Sequence, residues 1–80
     1  MSPLKLQFGN RLREIRLGLG LTQEEFAEKI GISVDFLSLI ERGVNAPSFK
    51  KLERIATSLG VSVDFLFRFS ENVTRQKSKY

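Results

Sequence analysis

Leu21-Thr22-Gln23-Glu24-Glu25-Phe26-Ala27-Glu28-Lys29-Ile30-Gly31-Ile32-Ser33-Val34-Asp35-Phe36-Leu37-Ser38-Leu39-Ile40-Glu41-Arg42-Gly43 is the stretch whose reading decides the fold. Thr22 followed three residues later by Glu25 spells a capping box. The hydroxyl can accept from the Glu25 amide while the carboxylate reaches back to the Thr22 amide. Glu24 and Glu25 also suit the positive end of a helix dipole. Phe26, Ala27 and Ile30 supply the buried side of this short helix, and Gly31 ends it. Ser33 is the next amino-terminal cap, with Asp35 in the first turn that follows. Leu37 and Ile40 are the core positions of the second helix, and Gly43 stops it. The pattern therefore predicts two short helices joined tightly at Gly31-Ile32-Ser33. Ala27 provides the small side chain that lets them cross closely.

Outward from this unit, the chain reads as helix on both sides. Phe8, Leu12, Ile15 and Leu19 fall at steps of four, three and four, one face of a helix closed by Gly18 and Gly20. After the unit, Val44-Asn45-Ala46-Pro47 is a turn. Ser48 caps a fourth helix whose inner face is Leu52, Ile55, Ala56 and Leu59, and Gly60 closes it. Ser62 is read as the cap of a fifth, very apolar helix holding Val63, Phe65, Leu66, Phe67 and Phe69. In that helix Val63 and Leu66 are expected to face inward, and Phe65 and Phe69 to form a second apolar face. Gly31–Leu37 and Gly60–Leu66 echo each other, read here as one local solution used twice, a glycine stop and a serine-capped helix. From Ser70 the chain turns polar and loses its period. Asn72-Val73-Thr74 matches a glycosylation sequon that, without a secretory signal, is read as accidental. Residues 1–69 are thus expected to be one domain, with the unit at 22–43, a fifth helix at 62–69, and 70–80 a polar flexible tail.

Composition narrows the function classes. The chain has neither His nor Cys. Disulfides, Fe–S clusters, tetrahedral zinc sites and Ser–His or Cys–His nucleophile pairs cannot be built. No run reaches the roughly 18 apolar residues of a membrane span, and the opening Met-Ser-Pro-Leu-Lys-Leu has no apolar signal region. The net charge of +4 is unevenly spread: residues 1–20, 42–60 and 61–80 are basic, whereas 21–41 holds only Lys29 against Glu24, Glu25, Glu28, Asp35 and Glu41. Basic flanks suit phosphate neutralisation or a plain solvated surface, and charge alone does not separate the two.

The unit has helix-turn-helix spacing, and its residues resemble the phage-repressor, or Xre-type, helix-turn-helix family. The likeness runs over about residues 8–67 and is most specific at Leu21-Thr-Gln-Glu-Glu25, Ser38-Leu-Ile-Glu-Arg-Gly43 and Leu59-Gly-Val-Ser-Val-Asp64. It implies an all-α, five-helix, lambda-repressor-like domain. It also implies a role for Gln23 as a phosphate contact at a helix amino terminus. The helix after Ser33 would be the recognition helix, presenting Val34, Asp35, Phe36, Ser38 and Leu39 around its base-reading end. Arg42, Asn45 and Ser48 would grip flanking phosphates. Arg16 and Glu41 are implied to form a partly buried ion pair that holds this helix without touching DNA. Val34 and Leu39 are apolar where the family often carries long polar side chains. Apolar groups can read a thymine methyl, and Asp35 can accept from a cytosine amino group or serve only as a helix-start charge.

These readings lead to a cytoplasmic, bacterial or phage-encoded DNA-binding transcriptional regulator, complete as a small protein, binding double-stranded DNA at a palindromic operator. It is expected to be no enzyme, to need no cofactor, metal or small-molecule substrate, and to associate with no membrane. A homodimer through the fifth helix is expected, with Phe65 or Phe69 near its axis and Arg68 at its rim, because exposed adjacent phenylalanines more often mark interfaces. The alternative is a helix-turn-helix used for protein binding, as in an antitoxin or anti-repressor component, favoured by Val34 and Leu39.

Overall fold

The structure, a computed structural model, describes residues 3–69. Four α-helices follow in order: α1 (Leu4–Gly18), α2 (Gln23–Ile30), α3 (Val34–Glu41) and α4 (Phe49–Leu59). A 3-10 helix at Val63–Phe67 comes after them. No strand occurs among the described residues. The expected fifth α-helix is therefore a short 3-10 helix, flanked by the Phe65 amide on the Ser62 carbonyl at 3.1 Å and the Arg68 amide on the Phe65 carbonyl at 3.3 Å.

The caps form where the sequence asks for them. The Thr22 hydroxyl accepts from the Glu25 amide at 3.1 Å, and the Glu25 carboxylate accepts from the Thr22 amide at 2.9 Å. Ser33 accepts from the Phe36 amide and Ser48 from the Lys51 amide. Ser62 makes no such bond to a backbone amide. α1 starts earlier than the periodicity beginning at Phe8 indicates. It rises straight from Pro3, whose carbonyl accepts from the amides of Leu6 and Gln7. Proline's fixed φ suits that entry.

One core joins all five elements: Phe8 and Leu12 from α1, Phe26, Ala27 and Ile30 from α2, Leu37 and Ile40 from α3, Leu52, Ile55 and Ala56 from α4, and Leu66. Two predicted inward positions differ. Leu19 lies just past the end of α1 and is half exposed, and Val63 also stays at the surface. α3 is packed against both α1 and α2.

Two glycines set how closely α1 and α3 approach. A Cβ on Gly9 would collide with the Ile40 carbonyl oxygen, so backbone meets backbone there. Gly43 adopts φ 76°, and a Cβ on it would fall 2.6 Å from a Leu6 methyl. Any other residue at Gly43 meets both left-handed strain and a clash.

Candidate nucleic-acid interface

The site is built around α3, and its carboxyl end is anchored by a buried polar cluster. Arg16 Nε donates to Glu41 Oε2 at 2.7 Å, and its Nη2 donates to Glu41 Oε1 at 3.0 Å. This is a two-pronged pair that fixes geometry as well as charge. The third arm of Arg16 donates to the Leu21 carbonyl at 3.0 Å. Gln23 Nε2 completes the cluster, donating to Glu41 Oε1 at 3.0 Å. Arg16 and Glu41 are both buried. Their mutual bonding makes that burial tolerable, because either charge alone would lack its partner. The cluster ties α1, the α1–α2 turn, the first residue of α2 and the last residue of α3 into one unit. Gln23 thus sits half-buried at the amino terminus of α2 with one amide hydrogen used by Glu41 and a second still available.

The opposite end of α3 is wet. Ser33, Val34 and Asp35 are exposed, and Ser38 and Leu39 are half-buried behind them. Among the described residues Asp35 forms no ion pair, so its carboxylate is free to accept. Phe36 is the exception in this group. It packs against the core, with the Lys51 ammonium of α4 6.0 Å from its ring centre. It therefore faces α4 rather than outward, because it lies one turn before the buried Ile40 and shares that side of the helix.

Past α3 the chain doubles back, the amides of Val44 and Asn45 both donating to the Leu39 carbonyl. Lys5 Nζ braces the turn through the Val44 carbonyl at 3.4 Å. Arg42, Asn45 and Ser48 are all exposed along it. Two cations that the residue-by-residue reading did not single out also approach this region. Lys51 lies beside α3, and the Arg54 side chain runs past Gly31 in the α2–α3 turn. Their signal in the sequence was only the basic run from Lys50 to Arg54.

Phe65 and Phe69, one of which is expected near a dimer axis, are both half-buried, while Arg68, expected at its rim, is exposed. The 3-10 geometry breaks the four-residue repeat that would have put Phe65 and Phe69 on one outward face. Phe65 is half-buried under two guanidinium groups, Arg11 at 4.5 Å and Arg68 at 5.5 Å from its ring centre. Arg11 also donates twice to the Phe65 carbonyl, at 3.2 and 3.0 Å. Phe69 is half-buried against Phe67, whose own ring lies 5.1 Å from that of Phe8. Arg68 is exposed and paired with Asp64 at 3.3 Å.

The described residues contain no cluster of acidic side chains able to hold a metal. None of their helices is long and apolar enough to cross a membrane. Comparison with known proteins gives a consistent result. Residues 12–66 match the Helix-turn-helix family HTH_3. The control protein C.MunI of a Mycoplasma species is 37% identical over 68 residues, covering 84% of this chain and 92% of that protein. The crystal structure of the restriction-modification controller protein C.AhdI from Aeromonas hydrophila superposes with a TM-score of 0.72 at 35% identity, covering 79% of this chain and 91% of that one. The clp gene regulator ClgR from C. glutamicum has the same TM-score at 33% identity, covering 82% and 86%.

Proposed function

The chain belongs to the helix-turn-helix family of DNA-binding transcriptional regulators, and from that premise we propose that it binds a two-fold symmetric operator as a dimer, each copy laying the amino end of α3 in the major groove. The observation that carries this reading is the contrast between the two ends of α3. One end is locked by the buried Arg16–Glu41 pair and its Gln23 partner, and the other presents Val34 and Asp35 toward solvent with Ser38 half-buried behind them. A reading element needs that combination, rigid placement together with open side chains. The family is one of regulators, not of enzymes.

The roles divide by chemistry. Gln23, with its remaining amide hydrogen at the amino terminus of α2, suits a phosphate oxygen. Arg42, Asn45 and Ser48 line the turn and suit the phosphates on the other side of the groove, with Lys51 as a further cation beside α3. Val34 suits a thymine methyl, and Asp35 or Ser38 suits a base edge, Asp35 as acceptor from cytosine. The acidic balance of residues 21–41 works against non-specific attraction, so the basic flanks must supply most of the phosphate term. Restriction–modification control is the setting favoured by the similarity to C.MunI and C.AhdI.

Selection from random duplexes tests the proposal. It should return two inverted half-sites with centres about 34–36 Å apart, one helical turn. Arg42→Ala should weaken binding to every sequence and lower the salt slope by about one, while Asp35→Asn should change the preferred base. Recovery of no sequence, with no salt-dependent retention on duplex DNA, would favour a protein-binding role instead.

A further inference from the structure

We propose that Phe49 and the apolar groove beside it form a self-complementary surface on which a second copy of this chain docks, each Phe49 entering the groove of its partner. The inference rests on the dimeric reading above and names the surface that makes the dimer.

Phe49, the first residue of α4, is 86% exposed, the most exposed large apolar side chain among the described residues. Scattered exposed apolar residues are ordinary. Phe49 is not scattered: it forms one wall of a groove of about 270 Å³ whose other walls are Leu4, Phe8, Pro47, Leu52 and Phe67. Leu4, itself 60% exposed, extends the same patch. The groove falls below the roughly 300–1,000 Å³ of small-molecule sites and is of a size to take an aromatic side chain. Knob and hole lie on one patch, the condition for a two-fold interface in which each copy gives what it receives.

The carboxyl-terminal segment of this chain is a poorer occupant. Residues 70–80 carry only Val73 and Tyr80 as apolar side chains, with Arg75, Lys77 and Lys79 against Glu71. Lys5 stands at the groove, so that basic segment meets like charge. Position also favours a second copy. Pro47 belongs to the turn that carries Asn45 and Ser48, so an axis here brings the two phosphate-facing turns side by side, continuous with the proposed DNA face.

Sedimentation equilibrium of the full chain across micromolar concentrations tests this, with thermal melts as a folding control. Wild type should pass from monomer to dimer. Phe49→Glu should weaken self-association roughly thirtyfold or more, as for a central interface residue, without lowering the melting temperature measured at dilutions where wild type is also monomeric, because the side chain is solvent-exposed in the monomer. Leu4→Glu on the opposite wall should act in the same direction, and Val63→Glu, exposed outside the groove, should do nothing. On DNA, the uncharged Phe49→Ser should lose affinity for the full operator and keep that for one half-site. A dimer unaffected by Phe49→Glu and Leu4→Glu overturns this surface and leaves the dimeric reading standing. A wild-type chain that stays monomeric on and off a symmetric operator overturns both.

Discussion

Gly31-Ile32-Ser33-Val34-Asp35-Phe36-Leu37 and Gly60-Val61-Ser62-Val63-Asp64-Phe65-Leu66 differ at one position, yet they open different structures. They begin alike. Both glycines sit in the left-handed region, at φ 76° and 71°. Both leucines are fully buried, and Val34 and Val63 are equally exposed. The paths then part. Ser33 takes the Phe36 amide and an α-helix of eight residues follows, whereas Ser62 caps no amide and a 3-10 helix of five residues follows. What differs is the continuation. After Leu37 come Ile40, buried in the core, and Glu41, held by Arg16 and Gln23. After Leu66 come Phe67, drawn onto Phe8, and Arg68, which turns back to Asp64. An eight-residue helix is too short to persist by propensity alone. Whether the capped start becomes one depends on an anchor at its far end.

That account can be broken most directly at the anchor. Glu41→Ala strands the buried Arg16 and should cost about 3 kcal/mol or more in chemical denaturation. Arg16→Met combined with Glu41→Leu should recover part of the loss, since two apolar groups need no partner while the Leu21 carbonyl and the Gln23 amide still lose theirs. If the single variant melted like wild type, the anchor would not be what sustains α3.

Next in size is the backbone contact that seats α3 on α1. Gly9→Ala pushes a methyl into the Ile40 carbonyl and should destabilise by roughly 1–3 kcal/mol. Gly18→Ala, with open space around its Cβ, should be neutral or slightly stabilising. Equal effects from the two would remove the argument for close approach.

The caps sharpen the comparison at smaller scale. Ser33→Ala should cost about 1 kcal/mol by denaturant titration, the usual loss for an amino-terminal cap. Ser62→Ala should stay within about 0.5 kcal/mol, as for a surface change. A reversed order would mean that the 3-10 segment, not α3, depends on its serine.

The smallest effect is electrostatic. The Ser62 side chain, and after it Arg68, hold the Asp64 carboxyl below its ordinary pKa. A depressed folded value means that the contribution is present above the unfolded pKa and fades as pH falls through the folded one. Asp64 is fully exposed, so the gain is slight and screened by salt. A carboxyl-carbon NMR titration should show the Asp64 midpoint rising in Arg68→Ala. An unmoved midpoint would show that the pair seen at 3.3 Å carries no weight in solution.

Much of the fold was legible in the residues because its signals are local. Thr22 with Glu25, Ser33, Ser48 and the glycine stops mark three helices, α2, α3 and α4, within a residue or two, and each cap bond spans only three positions. The inner face of α4 was readable for the same reason. The pairing of Arg16 with Glu41 was implied by family resemblance, not by spacing, since 25 residues separate the two. The misreadings fall where a contact partner lies far along the chain. Arg11 reaches across 54 positions to the Phe65 carbonyl, and no periodicity carries that information. Leu19 and Val63 fit an apolar pattern and still remain at the surface, because a pattern says which side of a helix is apolar and not whether another element covers it.

The sequence by itself determined where α2, α3 and α4 start and stop, which of their faces turn inward, and that no metal or nucleophile chemistry built on His or Cys is possible. Caps, glycine stops and residue types act over a few positions, and that range is all they need. Only the tertiary structure decided that one Gly-x-Ser-Val-Asp-Phe-Leu segment extends into α3 while its near twin stops as a 3-10 turn. It also decided that Phe65 is roofed by arginines while Phe49 stands in solvent. Those outcomes depend on which distant side chain arrives opposite, and that is set when the helices pack together.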